Sequence, residues 1–85
     1  MITAESIEHT IKTSLPCEWI KVDGDDGRHF NAVIVSNQFE GKSMVQQHQL
    51  VYRTLGERMR EEIHALSMKT YTVAQWSAAA DKSYL

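Results

Sequence analysis

The sequence predicts a small mixed α+β domain in the order helix–strand–strand–helix–helix–strand–helix, and three observations carry that reading. Two stretches of strand character flank the turn-rich segment Gly24-Asp25-Asp26-Gly27, as in a β-hairpin. Ser43/Gln46 and Thr72/Gln75 have the spacing of a helix capping box, in which the first side chain caps and the second reaches back. The interval between the second and third strands holds two helices, long enough for a crossover and so for parallel pairing.

Each element has its own warrant. Over residues 4–15, Ile7, Ile11 and Leu15 recur every four residues among Glu5, Glu8, Lys12 and Ser14, which predicts an amphipathic helix. Thr3 is placed to cap it, Glu5 suits its first turn, and Pro16 stops it. From Cys17 to Asp23, Ile20 and Val22 fall on one side of a strand, Trp19 and Lys21 on the other. His29 to Ser36 follows, apolar on both faces in its second half, which suits an inner strand. In the next helix Met44, Val45, His48, Val51, Tyr52 and Leu55 fall on one stripe, with Gly56 placed to close it. A short helical turn is expected over 57–62. In residues 63–71, His64, Leu66, Met68 and Thr70 alternate with Ala65, Ser67, Lys69 and Tyr71. A last helix starts after Thr72, with fraying expected over 81–85.

Eighty-five residues suit one domain, 1–85, with an ordered core expected at about 4–80. Residues 1–41 carry three Lys/Arg against seven Asp/Glu, net −4; residues 42–85 carry six against four, net +2. A strong nucleic-acid binder shows a more basic footprint, although a local basic face is compatible with these numbers. No apolar run nears the roughly 20 residues of a membrane span, and the first residues lack a secretory pattern. A single cysteine, Cys17, cannot form an internal disulfide, and the expected location is the reducing cytoplasm. Cys17 is read as a small packed hydrophobe, and His48 as a packed histidine donating to a backbone carbonyl. Trp19, Tyr71 and Trp76 are read as core and hairpin-face residues. No nucleophile sits in a recognisable triad setting, no paired carboxylates stand at helical spacing around an apolar pocket, and no Cys-x-x-Cys is present, so neither an enzyme nor a self-contained metal site is suggested. Phe39-Glu40-Gly41-Lys42-Ser43 falls short of a phosphate loop; Gly41 is expected to permit a turn and Ser43 to cap.

Two blocks carry a family resemblance. Phe39, Gly41, Val45, His48, Val51 and Tyr52 form F-x-G-x-x-x-V-x-x-H-x-x-V-Y, and Ile63 to Thr72 with Trp76 form I-H-A-L-S-x-K-T-Y-T-x-x-x-W. Over residues 4–80 the chain resembles the BolA-like proteins, in particular their short bacterial members. The resemblance implies a class II K-homology-like fold, in which a three-stranded mixed sheet has helices packed on it. It implies a partner, a monothiol glutaredoxin with glutathione, and a [2Fe-2S] cluster shared with that partner. It also implies an alternative, a DNA-binding regulator of morphology and stress response working through a helix-turn-helix.

By position, His64 matches the histidine thought to ligate the cluster. A second ligand in such proteins is a His or Cys in the loop between the first two strands, for which His29 is the only candidate. Lys42, Arg53, Arg58, Arg60 and Lys69 are candidates for a basic rim facing nucleic acid or partner. Two departures stand out. Gln47 occupies a position where many members have Arg, read here as the loss of a cation from that face. Val73 stands where a proline is common. The K-homology GXXG tetrad is missing. The free protein is expected to be a monomer.

Overall fold

A computed structural model describes residues 3–24, 28–58 and 65–82. Helix α1 (Ala4–Ser14) opens with a reciprocal capping box: Thr3 Oγ1 accepts from the Ser6 N–H and Ser6 Oγ accepts from the Thr3 N–H. Its last turn ends at Leu15, which takes an extended backbone (φ −131°) ahead of Pro16, as a residue before proline prefers. Ile7 and Ile11 are its buried stripe.

Strand β1 (Trp19–Asp23) pairs antiparallel with β2 (His29–Val35), from Trp19 opposite Val35 to Asp23 opposite Asn31. Strand β3 (Ala65–Tyr71) pairs parallel with β2, from His29 opposite Ala65 to Val35 opposite Tyr71. The sheet order is β1-β2-β3, so β2 is the inner strand that its two apolar faces predicted. The hairpin and the parallel crossover are both observed; β1 starts at Trp19, two residues later than expected.

Alternation then sorts the sheet into two faces. Val22, Phe30, Ala32 and Ile34 point to the main core, where they meet Ile7, Ile11, Leu15, Phe39, Val51 and Leu55. The opposite face carries Trp19, Val35 and Tyr71 in one row. Helix α3 (Val73–Lys82), started by the predicted Thr72/Gln75 box, lays Trp76 over that row. Trp76 stacks on Trp19 (centroids 5.0 Å, interplanar 20°) and tilts against Tyr71 at 5.3 Å. Val35 beneath them is 1% exposed. The aromatic trio thus forms a partly exposed cap over Val35, with Trp19 itself 41% exposed. Helix α3 reaches Lys82, so Asp81 and Lys82 are helical where fraying was expected; 83–85 lie outside the described residues.

Helix α2 (Met44–Leu55) starts at the Ser43/Gln46 box and ends at Gly56, whose φ is +53°. Its rotational phase corrects the sequence reading. The buried residues are Gln47, Val51 and Leu55, whereas Met44 (66%), Val45 (67%) and Tyr52 (40%) are exposed. Helical backbone resumes at Glu57 and Arg58; the rest of the helical turn expected over 57–62 lies outside the described residues.

Gly24, at the end of β1, admits a close approach. A Cβ there would lie 2.5 Å from Phe30 Cδ1 and 2.7 Å from the His29 carbonyl oxygen. Gly24→Ala is therefore expected to cost about 1–3 kcal/mol, the usual penalty for overpacking, and urea unfolding would measure it. No change in the midpoint would show that the hairpin can open without loss.

Candidate functional site

The first candidate is the end of the sheet where β2 begins. His29 is exposed at the head of β2, and register sets it opposite Ala65, the residue bonded directly to His64. His64 itself lies outside the described residues. The parallel pairing is what brings the start of β3 beside the start of β2; the antiparallel alternative would have put Tyr71 there.

Among the described residues, no three His, Cys, Asp or Glu side chains come together as a metal site. A [2Fe-2S] cluster takes four terminal ligands beside its bridging sulfides, so this set could supply at most part of a coordination shell. Cys17 is no substitute. It sits half-buried before β1, its thiol donating to the Leu15 carbonyl at 3.1 Å. Burial, reinforced by the Glu18 carboxylate and opposed by Lys12, raises its pKa. A thiol whose folded pKa is raised contributes stability fully present below its unfolded value and lost as pH climbs through the folded one. Stability should therefore decline as pH passes about 8.5, the ordinary thiol value, and this part of the decline should vanish in Cys17→Ala. An identical alkaline profile in the variant would contradict it.

The four candidate cations among the described residues lie on separate faces. Lys42 and Arg53 line a common cavity of about 320 Å³ on the outward side of α2, with Gly41, Gln46, Gln49 and Leu50. Lys69 lies on the sheet face turned away from α2, in a row with Val33 and Lys21. Arg58 turns inward to α1: its guanidinium donates to Thr10 Oγ1 at 2.7 Å and to Ser6 Oγ at 2.8 Å. It is a clasp between the segment after α2 and the first helix. Arg60 lies outside the described residues.

Gln47 also requires correction. It is 6% exposed and holds no place on an outer face. Its Nε2 donates to the Lys42 carbonyl at 3.0 Å and to the Phe39 carbonyl at 3.4 Å, while its Oε1 accepts from the Thr70 hydroxyl at 2.6 Å. One buried amide thus ties the Phe39–Ser43 loop to β3. Sequence reasoning missed this because the partners lie up to 23 residues away; the signal was a polar residue among the apolar positions of α2. The loop itself behaves as expected, with Gly41 at φ +74° and Ser43 as the cap. His48 packs beside the core, but its buried Nε2 has no hydrogen-bond partner among the described residues. The carbonyl expected to receive it is not found at that nitrogen.

Comparison with known proteins places this architecture among three-stranded α+β domains of one kind. A BolA-like structure from Babesia bovis superposes with a TM-score of 0.84 at 35% identity, covering 94% of this chain and 95% of that one. Protein BOLA2 of Arabidopsis thaliana is 38% identical, over 98% of this chain and 92% of its own length. The DNA-binding transcriptional regulator BolA of Escherichia coli K12 is 29% identical, over 95% of this chain and 86% of its own length. The family model described as BolA-like protein matches residues 1–75. This chain belongs to the BolA-like family. Among the described residues no helix is long and apolar enough to cross a membrane.

Proposed function

We propose that this protein is a non-enzymatic accessory factor that binds a monothiol glutaredoxin and shares a [2Fe-2S] cluster with it, in cluster trafficking or iron and redox regulation. The observation that carries this reading is the His29–Ala65 rung. The exposed histidine at the head of β2 is registered against the residue that follows His64 in the chain. The incomplete donor set among the described residues supports a shared cluster over a resident one, since a partner thiolate and a glutathione thiolate would supply the remaining ligands. Imidazole ligation raises the potential of such a cluster above that of an all-thiolate one, and neutral nitrogen ligands are lost when protonated. That would suit a cluster that is cargo and must be passed on. The expected location is the cytoplasm.

Titration of this protein into a cluster-loaded monothiol glutaredoxin, followed by visible circular dichroism, tests the reading. A spectral change saturating at a fixed ratio is expected. An unchanged cluster spectrum throughout the titration would refute it.

A second reading, a DNA-binding regulator, is favoured by the description of the Escherichia coli relative. It requires affinity that falls steeply with salt. In that reading Arg58 would act with only part of its guanidinium, since donors on both terminal nitrogens already serve α1. Undetectable binding at physiological ionic strength would exclude it.

A further inference from the structure

We propose that the cavity between the Gly41-Lys42 turn and the outward side of α2 binds the phosphate group of a small phosphate monoester. Lys42 and Arg53 both line it, and no Asp or Glu does. Neither cation has an acidic partner among the described residues. Two positive charges match the −1.5 to −2 that a phosphate monoester carries near neutral pH, and the guanidinium fork suits its oxygens. Gln46 spends its Oε1 on the Ser43 N–H at 2.9 Å, which leaves the amide nitrogen as the group it can offer the cavity. Gln49 adds a second amide and half-buried Leu50 an apolar wall.

The turn carrying Lys42 is held from behind. The Lys42 N–H donates to the Phe39 carbonyl at 3.2 Å, and buried Gln47 donates to the Lys42 carbonyl at 3.0 Å. Lys42 is therefore mounted on fixed backbone, so the ordering required on binding is that of the side chains. At about 320 Å³ the space is at the small end of ligand pockets. Among the described residues the positive charge does not continue into a track, because Lys69 is on the far face of the sheet and Arg58 donates to α1. A single phosphate group fits this arrangement better than an extended polyanion.

Amide shifts of the full-length ¹⁵N-labelled protein, titrated with inorganic phosphate and with glycerol 2-phosphate against sodium chloride at equal ionic strength, test the proposal. Saturable shifts at Gly41, Lys42, Gln46, Gln49 and Arg53 are expected. Lys42→Gln and Arg53→Gln should each weaken binding about tenfold, the scale of one charge-assisted hydrogen bond. Both side chains are exposed, so the spectrum elsewhere should be preserved. Shifts that follow ionic strength alone, or that survive both substitutions, would overturn the proposal. So would binding of a single-stranded oligonucleotide at these residues with no response to either small phosphate.

Discussion

Replacing Phe39 with alanine is expected to destabilise this protein by about 3–5 kcal/mol, the range for truncating a buried aromatic side chain. Phe39 is wholly buried, at 0% exposure, at the end of the short 3-10 turn Asn37–Phe39 that leads from β2 into the α2 loop. Its ring joins the core contributed by α1, the sheet and α2, so its loss opens a cavity shared by all three. Neighbouring anchors hold the backbone: Ser36, also at 0%, donates its hydroxyl to the Pro16 carbonyl at 2.6 Å, and Glu18 accepts from the Asn37 N–H and side-chain amide at 3.0 Å each. A rigid setting collapses poorly around a void, which puts the cost toward the upper end. Domains hold about 5–15 kcal/mol in all, and short chains hold less. Urea unfolding of Phe39→Ala should therefore show a large fall in midpoint or an unfolded protein. A loss below about 1 kcal/mol would contradict the central placement of this side chain.

Gln47→Leu is expected to cost roughly 2–3 kcal/mol, although it swaps a polar residue for an apolar one of similar size in a buried position. The cost comes from what is left behind. The Thr70 hydroxyl loses its acceptor and the Lys42 carbonyl loses its side-chain donor, and a buried group left unpaired costs about 1–3 kcal/mol. Thr70→Val added to Gln47→Leu removes one of those stranded groups. The double variant should accordingly be more stable than the sum of the two single losses predicts, by about 1 kcal/mol. Strict additivity would mean that the 2.6 Å contact between Thr70 and Gln47 contributes nothing particular. Because the same amide fixes the turn that carries Lys42, the variant should also broaden the amide signals of residues 40–43.

The order of elements was legible because each rests on local chemistry. The S/T-x-x-Q boxes start α2 and α3 as written, Pro16 ends α1 through its neighbour's extended backbone, and the apolar second half of β2 marks it as the inner strand. The phase of α2 was not legible. Met44, Val45 and Tyr52 make an apolar stripe as regular as the one that packs, and periodicity alone cannot choose between two overlapping stripes. The choice fell to Gln47, which can be buried because the Phe39 and Lys42 carbonyls and the distant Thr70 hydroxyl satisfy its amide. Arg58 shows the same limit: its partners Ser6 and Thr10 lie about fifty residues back along the chain, and an arginine in a basic stretch carries no mark of such a contact. The exposure of Met44, Val45 and Tyr52 follows from this phase.

Of the proposed cluster ligands, His29 came from the family resemblance and its placement beside Ala65 from the parallel register. His64 rests on the family motif. The most direct measurement is the visible circular dichroism of the cluster-loaded glutaredoxin mixed in parallel with the unaltered protein, His64→Ala and His29→Ala. A shifted spectrum is expected with the unaltered protein, its loss with His64→Ala and a weakened shift with His29→Ala, each variant retaining its fold. The same shifted spectrum from all three proteins would contradict the assignment of the cluster to this end of the sheet.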